Sequence, residues 1–386
     1  MSKSMGGIIL KNLKFHGNQV IIGPNSIEYL NSLKFQKTFI VTGGSSMSKN
    51  GTIVRIIQST KREGGEALVH SGIKKNPTVD EINAGIESMR QFEPDTVIAV
   101  GGGSAIDAAK VMALFYEYPE LNFDNALNER LPLERKKIRF IAIPSTSGTA
   151  TEVTRAAVVT FPEKSLKIGL KTDAFVPDIA ILDGMITLSM PINVVAETGM
   201  DALTHAVECY MNRNLDDFTE PIAKGAIEGI LKYLPISYLK GDIDSRQKMH
   251  NYQCLAGMAF SNVGLGISHG IAHAFGGRYD MGHGLLNAIV LPYAIEFNSR
   301  DEEVNERIKK IEKNIGIESL RQAVNDLNSL MHVPQSFKAA GLKKEAFERD
   351  FDMLVTNSLM GSTRVNPIKP TRAEMEQLLK RIYIGN

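Results

Sequence analysis

The sequence predicts an α/β domain built on a parallel sheet, followed by a separate all-helical domain. Three observations carry this. Short apolar runs rich in β-formers recur in the first half: Phe39-Ile40-Val41-Thr42, Val97-Ile98-Ala99-Val100, Phe140-Ile141-Ala142-Ile143 and Ile179-Ala180-Ile181-Leu182. Helix-like stretches, among them 52–64 and 79–92, lie between these runs. Past Leu188-Ser189-Met190-Pro191 the strand signal nearly vanishes and helical patterns dominate, at 194–212, 220–234, 247–260, 301–314, 319–331 and 372–383. Strands apolar at every position are buried on both faces, which is the mark of a parallel sheet covered by helices. A run of helices after a run of βα units implies a second domain. The chain of 386 residues exceeds one ordinary core, and the boundary falls near residue 188, giving 1–188 and 189–386.

Composition excludes several partners. With 44 Lys+Arg against 43 Asp+Glu, the net charge is +1, too small to capture nucleic acid or an anionic membrane surface. No run approaches 18 apolar residues, and the first 15 residues lack a signal-peptide core and cleavage site. Two cysteines, Cys209 and Cys254, cannot form a disulfide framework and fit a reducing cytoplasm. The expectation is a cytoplasmic enzyme acting on a small molecule.

The first chemical motif is Gly101-Gly102-Gly103-Ser104, which directly follows a strand and opens the helix Ala105-Ile106-Asp107-Ala108-Ala109-Lys110. Glycines let backbone approach a pyrophosphate, and a helix N-terminus supplies free N–H groups and the positive dipole end. The plainer reading is a tight turn with Ser104 as N-cap and Asp107 at N3, a capping-box variant. Three consecutive glycines exceed what a cap needs, so a phosphate-binding loop is expected, although it is not the usual GxGxxG fingerprint. A second loop, Gly43-Gly44-Ser45-Ser46-Met47-Ser48-Lys49, follows an earlier strand. No Asp or Glu lies between Tyr29 and Arg62, so no carboxylate is available there to accept a ribose 2′-OH and repel a 2′-phosphate. Gly43, Ser45, Ser46 and Lys49 form a set that could host that phosphate.

The second motif is a set of histidines: His205, His269, His273 and His283. Asp201 and His205 are spaced i,i+4, on one helix face, and His269 and His273 repeat that spacing. Imidazoles with one carboxylate suit Zn²⁺ or Fe²⁺ and leave a position open for substrate. Glu197 and Glu208 share roughly the same face, so spacing alone does not choose the carboxylate or three of the four histidines.

Taken in order, these segments resemble the iron-containing (group III) alcohol dehydrogenase family over nearly the whole length. The resemblance rests on the glycine loop, on Ile143-Pro144-Ser145-Thr146-Ser147-Gly148-Thr149-Ala150-Thr151-Glu152-Val153-Thr154, on Thr198-Gly199-Met200-Asp201-Ala202-Leu203-Thr204-His205-Ala206-Val207-Glu208, on Ser261-Asn262-Val263-Gly264, on His269-Gly270-Ile271-Ala272-His273 and on His283-Gly284. It implies an N-terminal Rossmann-like dinucleotide-binding domain and a C-terminal helical metal-binding domain, with Asp201, His205, His269 and His283 as ligands and His273 as the active-site histidine. It implies that Gly102, Gly103 and Ser104 hold the pyrophosphate, and that Ser145, Thr146 and Thr149 flank the nicotinamide. Lys167 is then near the nicotinamide ribose, Asp107 and Leu182 join the cofactor set, and Phe260 lines the substrate pocket. Dimers are common in such proteins. Many NAD-using relatives carry Asp where this chain has Gly43, so NADP(H) is expected to be preferred, with NAD(H) possible. The implied reaction is metal-dependent hydride transfer to or from a short-chain primary alcohol or aldehyde. The alternative is a metal- and dinucleotide-dependent lyase resembling dehydroquinate synthase. That would need several cationic residues around the metal, and the span from His269 to His283 offers only Arg278.

Overall fold

The computed structural model describes every residue except 1, 2, 6, 7, 129, 162–165, 280 and 386; the first four of these fall in the N-terminal stretch read above. In chain order, β1 (Lys3–Met5) and β2 (Ile8–Leu10) form an antiparallel pair. They are followed by β3 (Gln19–Ile22), β4 (Lys37–Thr42), β5 (Glu66–His70), β6 (Thr96–Gly101) and β7 (Arg139–Pro144). A second antiparallel pair, β8 (Ala156–Phe161) and β9 (Leu166–Lys171), precedes β10 (Ile179–Leu182). The central sheet has six strands in the order β3-β10-β7-β6-β4-β5, every pair parallel.

Helices α1 (Ser46–Lys49), α2 (Thr52–Lys61), α3 (Val79–Phe92), α4 (Gly103–Glu117), α5 (Phe123–Ala126) and α6 (Gly184–Thr187) belong to this half. Strand side chains alternate between two cores. Phe39, Val41, Val97 and Ala99 face α3 and α4, whereas Ile40, Ile98 and Val100 face Ile53 and Ile56 of α2. Burial on both faces is why the central strands read as continuous apolar runs. α3 starts in a complete capping box between Thr78 and Glu81, which satisfies two donors at its N-terminus.

Beyond β10 the described residues contain no further strand. Helices α7 (Ile192–Met211), α8 (Thr219–Leu239), α9 (Ile243–Val263), α10 (Ile267–Arg278), α11 (His283–Asn298), α12 (Glu302–Ile315), α13 (Leu320–Leu330), α14 (Lys344–Ser358) and α15 (Arg372–Ile384) build an all-α core. α7 is its axis and is buried from Gly199 to Met211. No single helix among the described residues is long and apolar enough to cross a membrane; one bent pair, α9 with α10, passes that test only jointly, with a 98° bend.

The expected fold class is met: a Rossmann-like α/β domain followed by a helical one. Several elements had no readable signal, for identifiable reasons. β3 and β5 are edge strands with mixed exposure, so neither shows a continuous apolar run. The β8–β9 hairpin packs on α4 outside the sheet, with burial alternating along β8. α10 and α11 are buried on nearly every side, which erases the apolar stripe by which a helix is recognised. α8 continues through Pro235 to Leu239, although a proline inside a helix costs about 3 kcal/mol. Burial of Leu234 and Ser237, on either side of that proline, holds the helix on course.

Candidate active site

Both glycine loops emerge at the C-terminal edge of the sheet. β4 and β6 are parallel neighbours with Thr42 opposite Val100, so the residues that follow them share the edge where open α/β sheets bind ligands. Gly101 has φ 153°, a region that only glycine enters freely. A Cβ on Gly103 would stand 2.9 Å from the Thr149 side chain. The 101–104 backbone therefore packs directly against the 145–149 loop, and the Ser145 N–H donates to the Gly101 carbonyl at 2.8 Å. Thr146 and Thr149 are half-buried over this contact.

The N-cap of α4 is Gly102, which has no side chain to offer. This corrects the capping-box reading of Ser104 and Asp107. Ser104 sits inside the first turn, and its hydroxyl accepts the Asn76 N–H at 3.3 Å. Asp107 turns toward β8: Oδ2 accepts the Val158 N–H at 2.9 Å and Oδ1 accepts the Thr151 hydroxyl. First-turn N–H groups left without a side-chain cap are suited to a pyrophosphate. In the second loop, Gly43 is fixed by the Gly72 N–H donating to its carbonyl at 2.8 Å. Ser45, Ser46 and Lys49 are exposed beside it. Leu182 is buried with Ala150, Val153 and Ala180, and Lys167 Nζ donates to the Gly276 carbonyl at 2.9 Å, linking β9 to α10.

The helical half brings Asp201 and His205 of α7, His269 of α10 and His283 at the start of α11 to one point. Asp201 Oδ2 lies 4.0 Å from His205 Nδ1, and Oδ1 lies 3.9 Å from His269 Nε2 and 3.7 Å from His283 Nε2. Ligand atoms of Asp201, His205 and His269 all fall within 4.8 Å of one another. Of the three carboxylates that spacing left open, Asp201 is the one facing all three imidazoles. Glu197 packs against the 282–284 turn, and Glu208 sits behind His269 with Oε2 2.7 Å from Nδ1. His273 stacks on His283 with centroids 5.1 Å apart, and Phe260 stacks on His205 at 4.3 Å. Arg278 is engaged by Asp350, with Nε 2.7 Å from Oδ2.

Electrostatics follow from this packing. Burial alone would raise the Asp201 carboxyl, but His205, His283, His269 and the Asn287 amide outweigh it and hold the pKa below the carboxylate norm. Burial depresses His205 and, strongly, His269. His273 is the exposed member of the group. Desolvation by the surrounding protein, together with His283, His269 and Lys167, pushes it well below the usual imidazole value. Burial raises Glu208 to about 7, against the pull of three backbone N–H groups.

These residues fit a divalent cation. Asp201 Oδ1, His269 Nε2 and His283 Nε2 converge on the Asn287 side-chain nitrogen at 2.8, 3.1 and 3.2 Å. His205 Nδ1 is buried without any hydrogen bond. Lone pairs directed at one positively polarised atom are what a metal site requires. Sequence reasoning missed Asn287 and His250. Asn287 follows His283 by one helical turn, the spacing that had singled out Asp201 and His205. His250 carries no pattern; it is fully buried, with Nδ1 3.0 Å from Ser147 Oγ.

A glycine-lined sheet edge and a buried Asp/His cluster, joined where Gly148 packs against Thr198 of α7, are the two parts that a metal- and dinucleotide-dependent class of enzyme needs. Residues 17–184 match the family described as "Iron-containing alcohol dehydrogenase", and residues 195–383 match "Fe-containing alcohol dehydrogenase family, C-terminal". The chain is 41% identical to the NADPH-dependent butanol dehydrogenase of Clostridium saccharobutylicum, over 95% of this chain and 96% of that protein. It is 33% identical to the 1-propanol dehydrogenase PduQ of Citrobacter freundii, over 93% and 96%. The solved iron-containing alcohol dehydrogenase of Thermococcus thioreducens superposes with a TM-score of 0.90 at 32% identity, covering 98% of this chain and all of that one. The chain belongs to the iron-containing alcohol dehydrogenase family and is an oxidoreductase. The lyase alternative is not favoured.

Proposed function

We propose that this chain transfers a hydride between NADP(H), with NAD(H) as the weaker cofactor, and a short-chain primary alcohol or aldehyde. The reaction takes place in the cleft between a cofactor domain, 1–188, and a metal and substrate domain, 189–386. The observation that carries the reading is the convergence of Asp201, His205, His269 and His283 in a helical half whose α7 packs on the 145–149 loop through Thr198 and Gly148. We assign Fe²⁺ or Zn²⁺ to that cluster, both of which accept imidazole and carboxylate ligands. When bound, the cation supplies Lewis acidity to the substrate oxygen and the nicotinamide carries the redox change.

The chain's own residues do the rest. Gly102, Gly103 and Ser104 bind the pyrophosphate at the α4 N-terminus, and Ser145, Thr146 and Thr149 bound the nicotinamide. Gly43, Ser45, Ser46 and Lys49 receive the 2′-phosphate. The exposed Lys49 on an acid-free loop and the NADPH-dependent relative support this part. Phe260, stacked on His205, gives the substrate's carbon chain an apolar wall. His273 is the proton relay. It lies on the exposed side of the cluster, stacked on His283, and passes the alcohol proton between the site and solvent during oxidation. A homodimer in the cytoplasm completes the proposal; the two buried free thiols suit that reducing compartment.

The test is an aldehyde panel with NADPH and NADH on protein reconstituted separately with each metal, followed by nicotinamide absorbance. NADPH should give the higher kcat/KM with short-chain aldehydes. A higher kcat/KM with NADH would overturn the cofactor assignment.

A further inference from the structure

We propose that Glu208 is the positioning residue that sets the tautomer of His269 and so directs its Nε2 lone pair into the cluster. The inference rests on the reading of His269 as a metal ligand. Two contacts on opposite edges of the ring support it.

On the first edge, His269 Nδ1 lies 2.7 Å from Glu208 Oε2. Both Glu208 oxygens already accept backbone N–H groups: Oε1 from Ser268 at 2.5 Å, Oε2 from Gly266 at 3.0 Å and from His269 at 3.4 Å. A group surrounded by this many donors acts as an acceptor toward Nδ1 as well, so Nδ1 carries the proton. On the second edge, the Asn287 side-chain nitrogen, a donor only, lies 3.1 Å from Nε2. Nε2 therefore presents its lone pair. The two contacts are independent and call for the same Nδ1–H tautomer.

Chain geometry explains why Glu208 is placed to do this. It lies two turns along α7 from Asp201, so one helix supplies both the carboxylate inside the cluster and the one behind the ring. The Glu208 side chain is 0% exposed and that of His269 1%, so water does not compete for either nitrogen. By accepting N–H groups at the start of α10, Glu208 also locks the ring to the helix that carries it. A carboxylate behind a ligating imidazole fixes its orientation and raises its basicity, and removing such a partner typically costs about 10–100-fold in metal affinity.

The experiment uses the metal-free protein labelled with ¹⁵N at histidine, with His269 assigned by signal loss in His269→Ala. NMR then reads which ring nitrogen is protonated. Cobalt(II) affinity is measured in parallel by competition with a coloured chelator. Wild type should show Nδ1–H. Glu208→Gln, which keeps an oxygen acceptor but loses the charge, should bind cobalt(II) about tenfold more weakly. Glu208→Ala should lose about a hundredfold, and the Nε2–H form should emerge, because Asp201 is then the carboxylate left near the ring, 3.9 Å from Nε2. A role confined to capping α10 would lower thermal stability without moving the tautomer. Nε2–H in the wild type, or a folded Glu208→Gln protein with cobalt(II) affinity within about twofold of wild type, would overturn the proposal. If Glu208→Ala does not fold, those two measurements still decide. Wild type showing Nδ1–H but binding no cobalt(II) would defeat the metal reading while leaving the tautomer assignment standing.

Discussion

The two halves of the molecule build their polar surfaces from different material. The α/β half offers backbone: an uncapped helix start and glycines packed so tightly that a Cβ on Gly103 would meet Thr149. The helical half offers side chains, with Asp201, His205 and His269 buried and cross-braced by Glu208 and Asn287. A backbone cradle tolerates changes around it provided the loop keeps its course. A buried charged cluster does not, because each member stabilises the protonation state of the next.

The largest effect should come from breaking the side-chain cluster. Asp201→Ala removes the carboxylate facing three imidazoles. Metal content should vanish, and kcat/KM should fall by about a thousandfold or more, as expected when a Lewis acid is lost. Elemental analysis with steady-state kinetics checks this. Full turnover in verified metal-free protein would sink the metal reading.

The seam between the halves comes next. Buried His250 of α9 pairs with Ser147 of the 145–149 loop, and burial pushes its pKa down to about 4 from 6.5. The unfolded chain then binds the proton more readily, so the stabilisation is complete above about pH 6.5 and is lost as pH falls toward about 4. The loss should amount to about 3 kcal/mol. Urea unfolding across that range should show the slope in wild type and a flatter one in His250→Gln. Identical slopes would remove His250 as its source.

The backbone cradle should respond more gently. In Gly103→Ala the Thr149 side chain must shift, and a displacement of that kind should raise KM for the nucleotide by on the order of tenfold to a hundredfold. Metal content should stay unchanged, which separates this variant from Asp201→Ala. Simultaneous loss of metal would mean that the two halves are not independent. The smallest effect is expected at Gly43→Asp, where a restored carboxylate should accept the ribose 2′-OH and repel the 2′-phosphate. The NADPH-to-NADH ratio of kcat/KM should fall by about tenfold; an unchanged ratio would exclude this loop as the discriminator.

Legibility followed the same division. The central strands β4, β6, β7 and β10 were readable because burial on both faces leaves a continuous apolar run. Edge strands β3 and β5 were not, since half-exposure mixes their composition. The glycine loop was readable by position; the plainer alternative, with Ser104 as N-cap, fails because the backbone course puts Gly102 in that place. Asp201 and His205 were visible through one-turn spacing. Asn287 had the same spacing from His283 and went unread, because an amide is not a conventional ligand. His250 has no local pattern, since its partner Ser147 is 103 residues away.

By itself, the sequence determined the central strands alternating with helices, the change to an all-helical second half, the two glycine loops, the missing acid after β4 and the residue types able to bind a cation. These are local properties, written in burial periodicity, backbone freedom and side-chain chemistry. Spacing left Glu197, Asp201 and Glu208 open and the resemblance pointed to Asp201; only the tertiary structure shows what each of the three touches. All three lie on α7, and their roles diverge because α10 and α11 approach that helix from different sides. One carboxylate meets three imidazoles, one supports a turn and one lies behind a ring. That choice depends on where distant helices pack, which no spacing along a single helix can express.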